Sequence, residues 1–335
     1  MINEDISGLL SEVGDILLSD ELDYLKLSES INKYKSLLTE ISELHLEDEE
    51  SRTDIHSSTG KAIGSTWAAM CIDDMLRTKR FIKGIDKAIK QVLKKRKRPV
   101  EILYAGSGPF AALILPLTSR YTEEEIRIRL LEINKNSCRH LEKLLRELDL
   151  LGYIESIENV DATKYVVKSG EKIDILLSET MQRGLEKEQQ VSIVLNLLNQ
   201  LKEGVIVIPE KIELHFGMIE YVGSDSVQKN YRTIAKVFEL SKKELKKYKR
   251  SRDQFGQIVF PKNEVEILRD NVGEDGQLVI FTEIQIYEDE KLTINESGLT
   301  LPIIIQELNN KMREDQVLRI GYEIGTNPGL KYEVI

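Results

Sequence analysis

The residues best suited to chemistry gather around positions 100–110, VEILYAGSGPF. Five of the first six are apolar or aromatic, which suits a strand buried on both faces of a parallel sheet. Gly106 and Gly108 supply the backbone freedom for a tight turn and, lacking side chains, let a ligand approach the main chain. An apolar helix over 110–117 is expected next, its free N–H groups facing the turn. Such a unit makes a nucleotide-type pocket at the carboxyl end of the strand, although a lone G-x-G also fits an ordinary strand-to-helix turn. Three acids stand at the ends of later strand-like segments: Glu132 after IRIRLL, Asp161 in VDAT and Glu179 after IDILLS. In a nucleotide-binding sheet Glu132 can accept hydrogen bonds from both ribose hydroxyls. Asp161 can accept from an adenine amino group while Ala162 offers its backbone N–H. No Walker lysine accompanies the glycines, which disfavours nucleoside triphosphates, whereas NAD would be served by the same acid.

The elements that must position these residues follow from the periodicity. Residues 126–133, a helix over 136–150, a short strand near 153–157, a strand over 173–178, a helix over 188–201 and the buried run 204–208 alternate strand with helix. The alternation predicts a doubly wound parallel sheet with ligands outside the strand ends. Upstream, residues 67–93 read as one or two helices closed by the basic run KKRKR, which suits a helix C-terminus. Residues 1–60 carry apolar positions at helical spacing (Leu9, Leu10, Val13, then Leu37, Leu38, Ile41), and the polar stretch 47–60 separates this bundle from the rest. His45 and His56 in that region read as solvated. Beyond Pro209, alternating strands at 211–218, 257–260, 277–287, 317–324 and 330–335 predict an antiparallel barrel or sandwich, interrupted by a helical basic insertion at 224–252.

Composition sets the bounds. A chain of 335 residues exceeds one typical core, and 41% hydrophobic residues supply enough apolar surface for one or more. Asp and Glu outnumber Lys and Arg by 57 to 47, a formal charge of −10 that argues against nucleic acid as a partner. Two cysteines without a CxxC pair and four scattered histidines exclude a disulfide framework and offer no metal pattern. The acidic start and the short apolar runs show neither a secretion signal nor a membrane span, so a cytoplasmic location is expected.

The order DMLRTKRF, EILYAGSGPF, LLEINKNS, VDAT, IDILLSETM and VIVIPEKIEL resembles that of the class I S-adenosylmethionine-dependent methyltransferases, and specifically the protein arginine methyltransferases. It covers about residues 70–335. The resemblance implies an α/β Rossmann-like methyltransferase domain (61–209), then a β-barrel substrate domain (210–335) whose insertion 224–252 is a dimerisation arm, after an N-terminal helical segment (1–60). It implies S-adenosyl-L-methionine as cofactor and a homodimer, with Ile234, Val237, Phe238 and Leu240 of the arm set against a partner. Asp74, Arg77, Thr78 and Phe81 match the family's helix over the cofactor, with Arg77 the partner of the methionine carboxylate. Gly106 and Gly108 would approach the methionine part, Glu132 the ribose, and Asp161 and Ala162 the adenine, with Tyr104 also counted among the cofactor-binding residues. The segment SETMQRGLEKE is similar to the family's double-glutamate loop, making Glu179 and Glu188 the catalytic pair. A guanidinium stays protonated and presents five donors, so two carboxylates can fix it by paired, charge-assisted hydrogen bonds.

Two departures accompany the resemblance. Tyr104 stands where many methyltransferases carry an acid, and Pro109 with Phe110 replaces a third glycine. In SGLTLPIII, Thr300 and Leu301 stand where the family has a Thr-His-Trp or aromatic pocket residue. Three functions stay open: an arginine-type N-methyltransferase acting on a peptide or protein, the same architecture acting on a small metabolite or biosynthetic peptide, and a non-catalytic cofactor-binding scaffold.

Overall fold

The computed structural model describes residues 2–95, 98–222, 228–248, 259–267, 276–305 and 316–335. The chain opens with α1 (Ile2–Leu18) and α2 (Tyr24–Ser42), the latter capped by Asp23, whose carboxylate accepts from the N–H groups of Leu25 and Lys26. Leu10, Val13 and Leu17 on α1 and Leu27, Ile31, Tyr34 and Leu38 on α2 are buried at helical spacing. They belong to the same apolar cluster as the central sheet, so the two helices are packed onto the body of the molecule. Lys79 Nζ donates to the carbonyls of Ile16 (2.7 Å) and Ser19 (2.8 Å), satisfying the C-terminal end of α1.

A short helix α3 (Glu49–Arg52), a hairpin of β1 (Ile55–Ser57) and β2 (Gly60–Ala62), then α4 (Ser65–Met70) and α5 (Met75–Leu93) lead into the sheet. Along α5, Phe81, Ile82, Ile85, Ala88, Ile89 and Val92 form one buried stripe. The sheet is built from β3 (Val100–Ala105), β4 (Ile126–Glu132), β5 (Ile154–Asn159), β6 (Ile175–Ser178) and β7 (Ile206–Ile208), with α6 (Lys135–Glu147) and α7 (Gln190–Leu198) in the crossovers. All pairings are parallel, in the order β5-β4-β3-β6-β7. The central strands β3 and β6 are almost wholly buried, whereas the edge strand β5 alternates Glu155, Ser156, Glu158 and Asn159 with apolar residues and is only partly covered. The strand order reverses beside β3, which is where the glycine turn leaves the sheet.

The helix expected over 110–117 is absent. Turns occupy that stretch, followed by a 3₁₀ helix at Leu115–Ser119. Pro109 and Pro116 lack the N–H that an α-helix needs, and Ala111 adopts a left-handed conformation (φ 46°) that interrupts helical propagation.

The C-terminal part contains β8 (Lys211–Val222), β9 (Gln228–Ser241), α8 (Lys242–Leu245), β10 (Asn263–Ile267), β11 (Gln277–Tyr287), β12 (Glu290–Leu292), β13 (Ile303–Ile304), β14 (Gln316–Glu323) and β15 (Gly329–Val334). They form two antiparallel sheets, β12-β11-β8-β9 with β13 on β11, and β10-β14-β15. Phe238 stacks on Tyr322 at 4.4 Å, with Phe260 edge-on to both, which packs one sheet against the other. Among the described residues no strand pairing closes the sheets into a barrel.

The helical arm expected at 224–252 is corrected at Gln228–Ser241, a strand paired along the whole of β8, and only Lys242–Leu245 is helical among its described residues. Residues 224–227 and 249–252 lie outside the described residues. Two register shifts in the β8–β9 ladder move the inward positions of β9 off strict alternation, so Ile234, Val237, Phe238 and Leu240 imitate helical spacing. Val237, Phe238 and Leu240 are buried in the chain's own core, with Ile234 packed against it. The surface on which the dimer expectation rested is therefore internal. No helix among the described residues is long and apolar enough to cross a membrane.

Candidate active site

A cavity of about 1000 Å³, including its open mouth, lies at the carboxyl ends of β3, β4 and β6. Arg77, Thr78, Tyr104, Gly106, Gly108, Glu132, Ala162, Glu179 and Glu188 all line it. At its floor Gly106 has φ 77°, and its N–H donates to Leu131 O at 2.8 Å. A Cβ there would clash with Thr180 Cγ2, so glycine is needed for both conformation and space. Glu132, at the end of β4, accepts from Gly108 N–H (2.8 Å) through one oxygen and from Asn134 N–H (2.7 Å) through the other. Burial raises its pKa, while these backbone donors favour the carboxylate.

Arg77 and Glu179 form a buried ion pair in the wall. Arg77 also donates from Nη1 to Cys71 O at 2.6 Å, and its Nε is buried with no hydrogen-bond partner. Gln190, at the start of α7, fixes the loop after β6: its Oε1 accepts from Thr180 N–H (2.9 Å) and its Nε2 donates to Ser178 O (2.9 Å). Glu188 has its pKa raised to about 7, chiefly by burial; a hydrogen bond from Gln182 and the charges of Lys61 and Arg77 oppose the shift, and Asp54 adds to it. Tyr104 is buried, which pushes its hydroxyl well above the ordinary phenol range, so it stays neutral.

Three expected cofactor residues lie elsewhere. Asp74 caps α5 through Arg77 N–H (3.2 Å) and accepts from Ser297 Oγ (2.6 Å) and Gly298 N–H (2.8 Å), tying the C-terminal part to α5. Phe81 is fully buried in the core. Asp161 turns onto its own loop, accepting from Thr163 N–H (2.9 Å) and Oγ1 (2.6 Å); its neighbour Ala162 reaches the cavity. Each of these carboxylates or rings satisfies a local packing or capping demand first.

The residues missed by sequence reading include two just beyond the stretch taken as a separator. The β1–β2 hairpin brings Lys61 and Ala62 to the cavity. Lys61 N–H donates to Lys187 O (2.8 Å), and Gln189 Nε2 donates to Ser57 Oγ and Thr59 Oγ1 (both 2.8 Å). The Ser58-Thr59 turn before Gly60 was the available signal, but three-residue strands carry too little pattern to announce a hairpin. Cys71, Met181 and Gln189 also line the cavity.

No protein-family model matches the sequence, and no curated protein matches it at the sequence level. Solved structures do match. The Trypanosoma brucei PRMT1 enzyme-prozyme heterotetrameric complex with AdoHcy superposes with a TM-score of 0.52 at 12% identity, covering 80% of this chain and 92% of that one. A crystal structure of PRMT6 superposes with a TM-score of 0.51 at 11% identity, covering 80% of this chain and 98% of that one. The chain has the protein arginine methyltransferase fold. Within that fold the cavity lies where the strand order reverses, the position at which open α/β sheets hold ligands.

Proposed function

We propose that this protein is an S-adenosyl-L-methionine-dependent N-methyltransferase acting on a guanidino or amine nitrogen. The observation carrying this reading is that one cavity is lined both by the glycine turn with Glu132 and Ala162 and by the two carboxylates Glu179 and Glu188. The wall suits the cofactor. Arg77 Nε is an unsatisfied donor that a carboxylate could fill, and each Glu132 oxygen keeps a lone pair beyond its backbone bond for a ribose hydroxyl. Ala162 would offer the adenine a backbone N–H. The cofactor would supply an electrophilic methyl on sulfur.

The chain's task is then to align the acceptor nitrogen and to stabilise positive charge as it moves there. Glu179 is held in place by Arg77, and a carboxylate has about four lone-pair sites, so that pairing leaves capacity for an acceptor N–H. Glu188, poised near pH 7, can hold a cationic nitrogen once ionised and can take up a proton that the nitrogen releases. A second reading, a small metabolite or biosynthetic peptide as acceptor, is favoured by Thr300. That residue is fully buried and engaged with Ser297, and the turn at Gly298–Thr300 adds no ring to the cavity.

Calorimetry with S-adenosyl-L-methionine, S-adenosyl-L-homocysteine and NAD tests the cofactor, and labelled methyl transfer to free arginine, peptides and cell extract tests the acceptor. Tight NAD binding without affinity for S-adenosyl-L-methionine would overturn the class. Cofactor binding with no transfer to any acceptor would return the scaffold reading.

A further inference from the structure

Away from the cavity, Glu213 and His215 on β8 and Glu283 on β11 bring one ligand atom each to within 4.8 Å of the others. Ile212, Leu214 and Phe216 of β8 point into the main core, so the intervening Glu213 and His215 occupy the opposite face. The strand register sets Glu213 directly opposite Glu283 on one side and Glu239 on the other, a row of three carboxylates across adjacent strands. Like charges directly opposed destabilise a sheet, so the row calls for cations. Lys211 Nζ lies 2.8 Å and Lys236 Nζ 3.1 Å from Glu213, and Lys236 also pairs with Glu239. Glu283 has no ion-pair partner among the described residues.

His215 adds an independent observation. Both Nδ1 and Nε2 are buried, and neither has a hydrogen-bond partner. A neutral imidazole has one donor and one acceptor nitrogen to satisfy, and burying both unpaired is costly unless something fills the site. We propose that Glu213, His215 and Glu283 form a binding site for a divalent transition metal ion of the Zn²⁺ type. One imidazole nitrogen and two carboxylate oxygens are a Zn²⁺ donor set with a fourth position for water, and they are too few oxygens for Ca²⁺. The bound ion relieves the repulsion between Glu213 and Glu283 and satisfies one His215 nitrogen. Lys211 and Lys236 are 40% and 46% exposed and can turn to solvent, Lys236 keeping Glu239. The ion thereby ties β8 to β11.

The test uses the full-length protein stripped with a chelator and titrated with Co²⁺ and Zn²⁺. One-to-one binding is expected, with a Co²⁺ ligand-field spectrum that Zn²⁺ displaces and a higher melting temperature with metal. His215→Gln and Glu283→Gln should each weaken binding at least about tenfold. Both positions lie on the face away from the main core, and urea unfolding without metal verifies that the variants are folded. No saturable binding by the parent protein, or unchanged affinity in both variants, overturns the site. A thiolate-to-cobalt charge-transfer band would also overturn it by assigning the ion to Cys71 or Cys138.

Discussion

Changing Glu188 to Gln separates what this carboxyl does for stability from what it does for the reaction. Its folded pKa of about 7 stands above the ordinary 4.5, so the native state holds the proton more tightly than the unfolded chain. The stability it contributes in protonated form is fully present below pH 4.5 and is lost as pH rises through 7. A shift of this size corresponds to about 3 kcal/mol at 1.36 kcal/mol per unit. Glutamine keeps the shape and never pays the desolvation of a charge. Glu188→Gln should therefore gain about 3 kcal/mol relative to the parent protein between pH 4 and pH 8, a melting-temperature difference of about 4 °C for a chain of this size. Urea unfolding at several pH values measures it. In the proposed reaction the lost charge serves the acceptor, so the same variant should lose methyl transfer while keeping cofactor affinity. A stability difference that stays flat across the pH range would refute the burial argument. Full methylation by Glu188→Gln would refute its placement at the acceptor.

Other outcomes follow from the same geometry. Glu179→Gln removes the charge that Arg77 balances and should lower kcat by roughly 10²–10³, the scale of one electrostatic group, in a labelled-methyl assay, while Glu186→Gln, two residues before Glu188, should keep activity. Glu132→Ala should weaken S-adenosyl-L-methionine by roughly 1.5–3 kcal/mol per charged hydrogen bond lost, read by calorimetry. Asp74→Ala removes the α5 cap and both bonds to the Ser297 turn, and should cost about 2 kcal/mol in urea unfolding with cofactor affinity retained, contrary to a cofactor-binding role. Gln189→Ala should raise hydrogen exchange at the Lys61 amide, since it releases the hairpin from Ser57 and Thr59.

The sheet was legible because β3 and β6 leave apolar runs and β4 alternates Ile126, Ile128 and Leu130 with Arg127 and Arg129, and the strand ends then located Glu132 and Glu179. What could not be read were competing local demands. Asp161 and Asp74 have the residue type for ligand binding, yet each serves a nearby turn or cap, and a sequence does not say which of two uses a carboxylate will take. Misreading 228–241 as helix had a different origin: two register shifts produce inward positions at three- and four-residue spacing, which periodicity alone assigns to a helix. The hairpin over the cavity was lost because its partners, Lys187 and Gln189, lie some 130 residues away, and only the folded chain brings them together.

The ion pair of Arg77 with Glu179 connects the two halves of the proposed reaction. Taking a guanidinium and a carboxylate out of water together is tolerable only while each keeps its partner, and removing one leaves a buried charge uncompensated. Arg77 meets both Glu179 and the position proposed for the cofactor carboxylate, so a ligand on Arg77 Nε would draw on the same cation that neutralises Glu179. Cofactor binding should then leave Glu179 less neutralised and a better host for a cationic acceptor. That coupling predicts an ordered preference: S-adenosyl-L-homocysteine should tighten binding of a guanidino acceptor, and by reciprocity the acceptor should tighten S-adenosyl-L-homocysteine by the same factor. Replacing Arg77 with Lys keeps the charge and loses the fork that serves two carboxylates at once, so the two ligands should then bind independently. Equal acceptor affinity with and without S-adenosyl-L-homocysteine in the parent protein would show that Arg77 serves Glu179 alone.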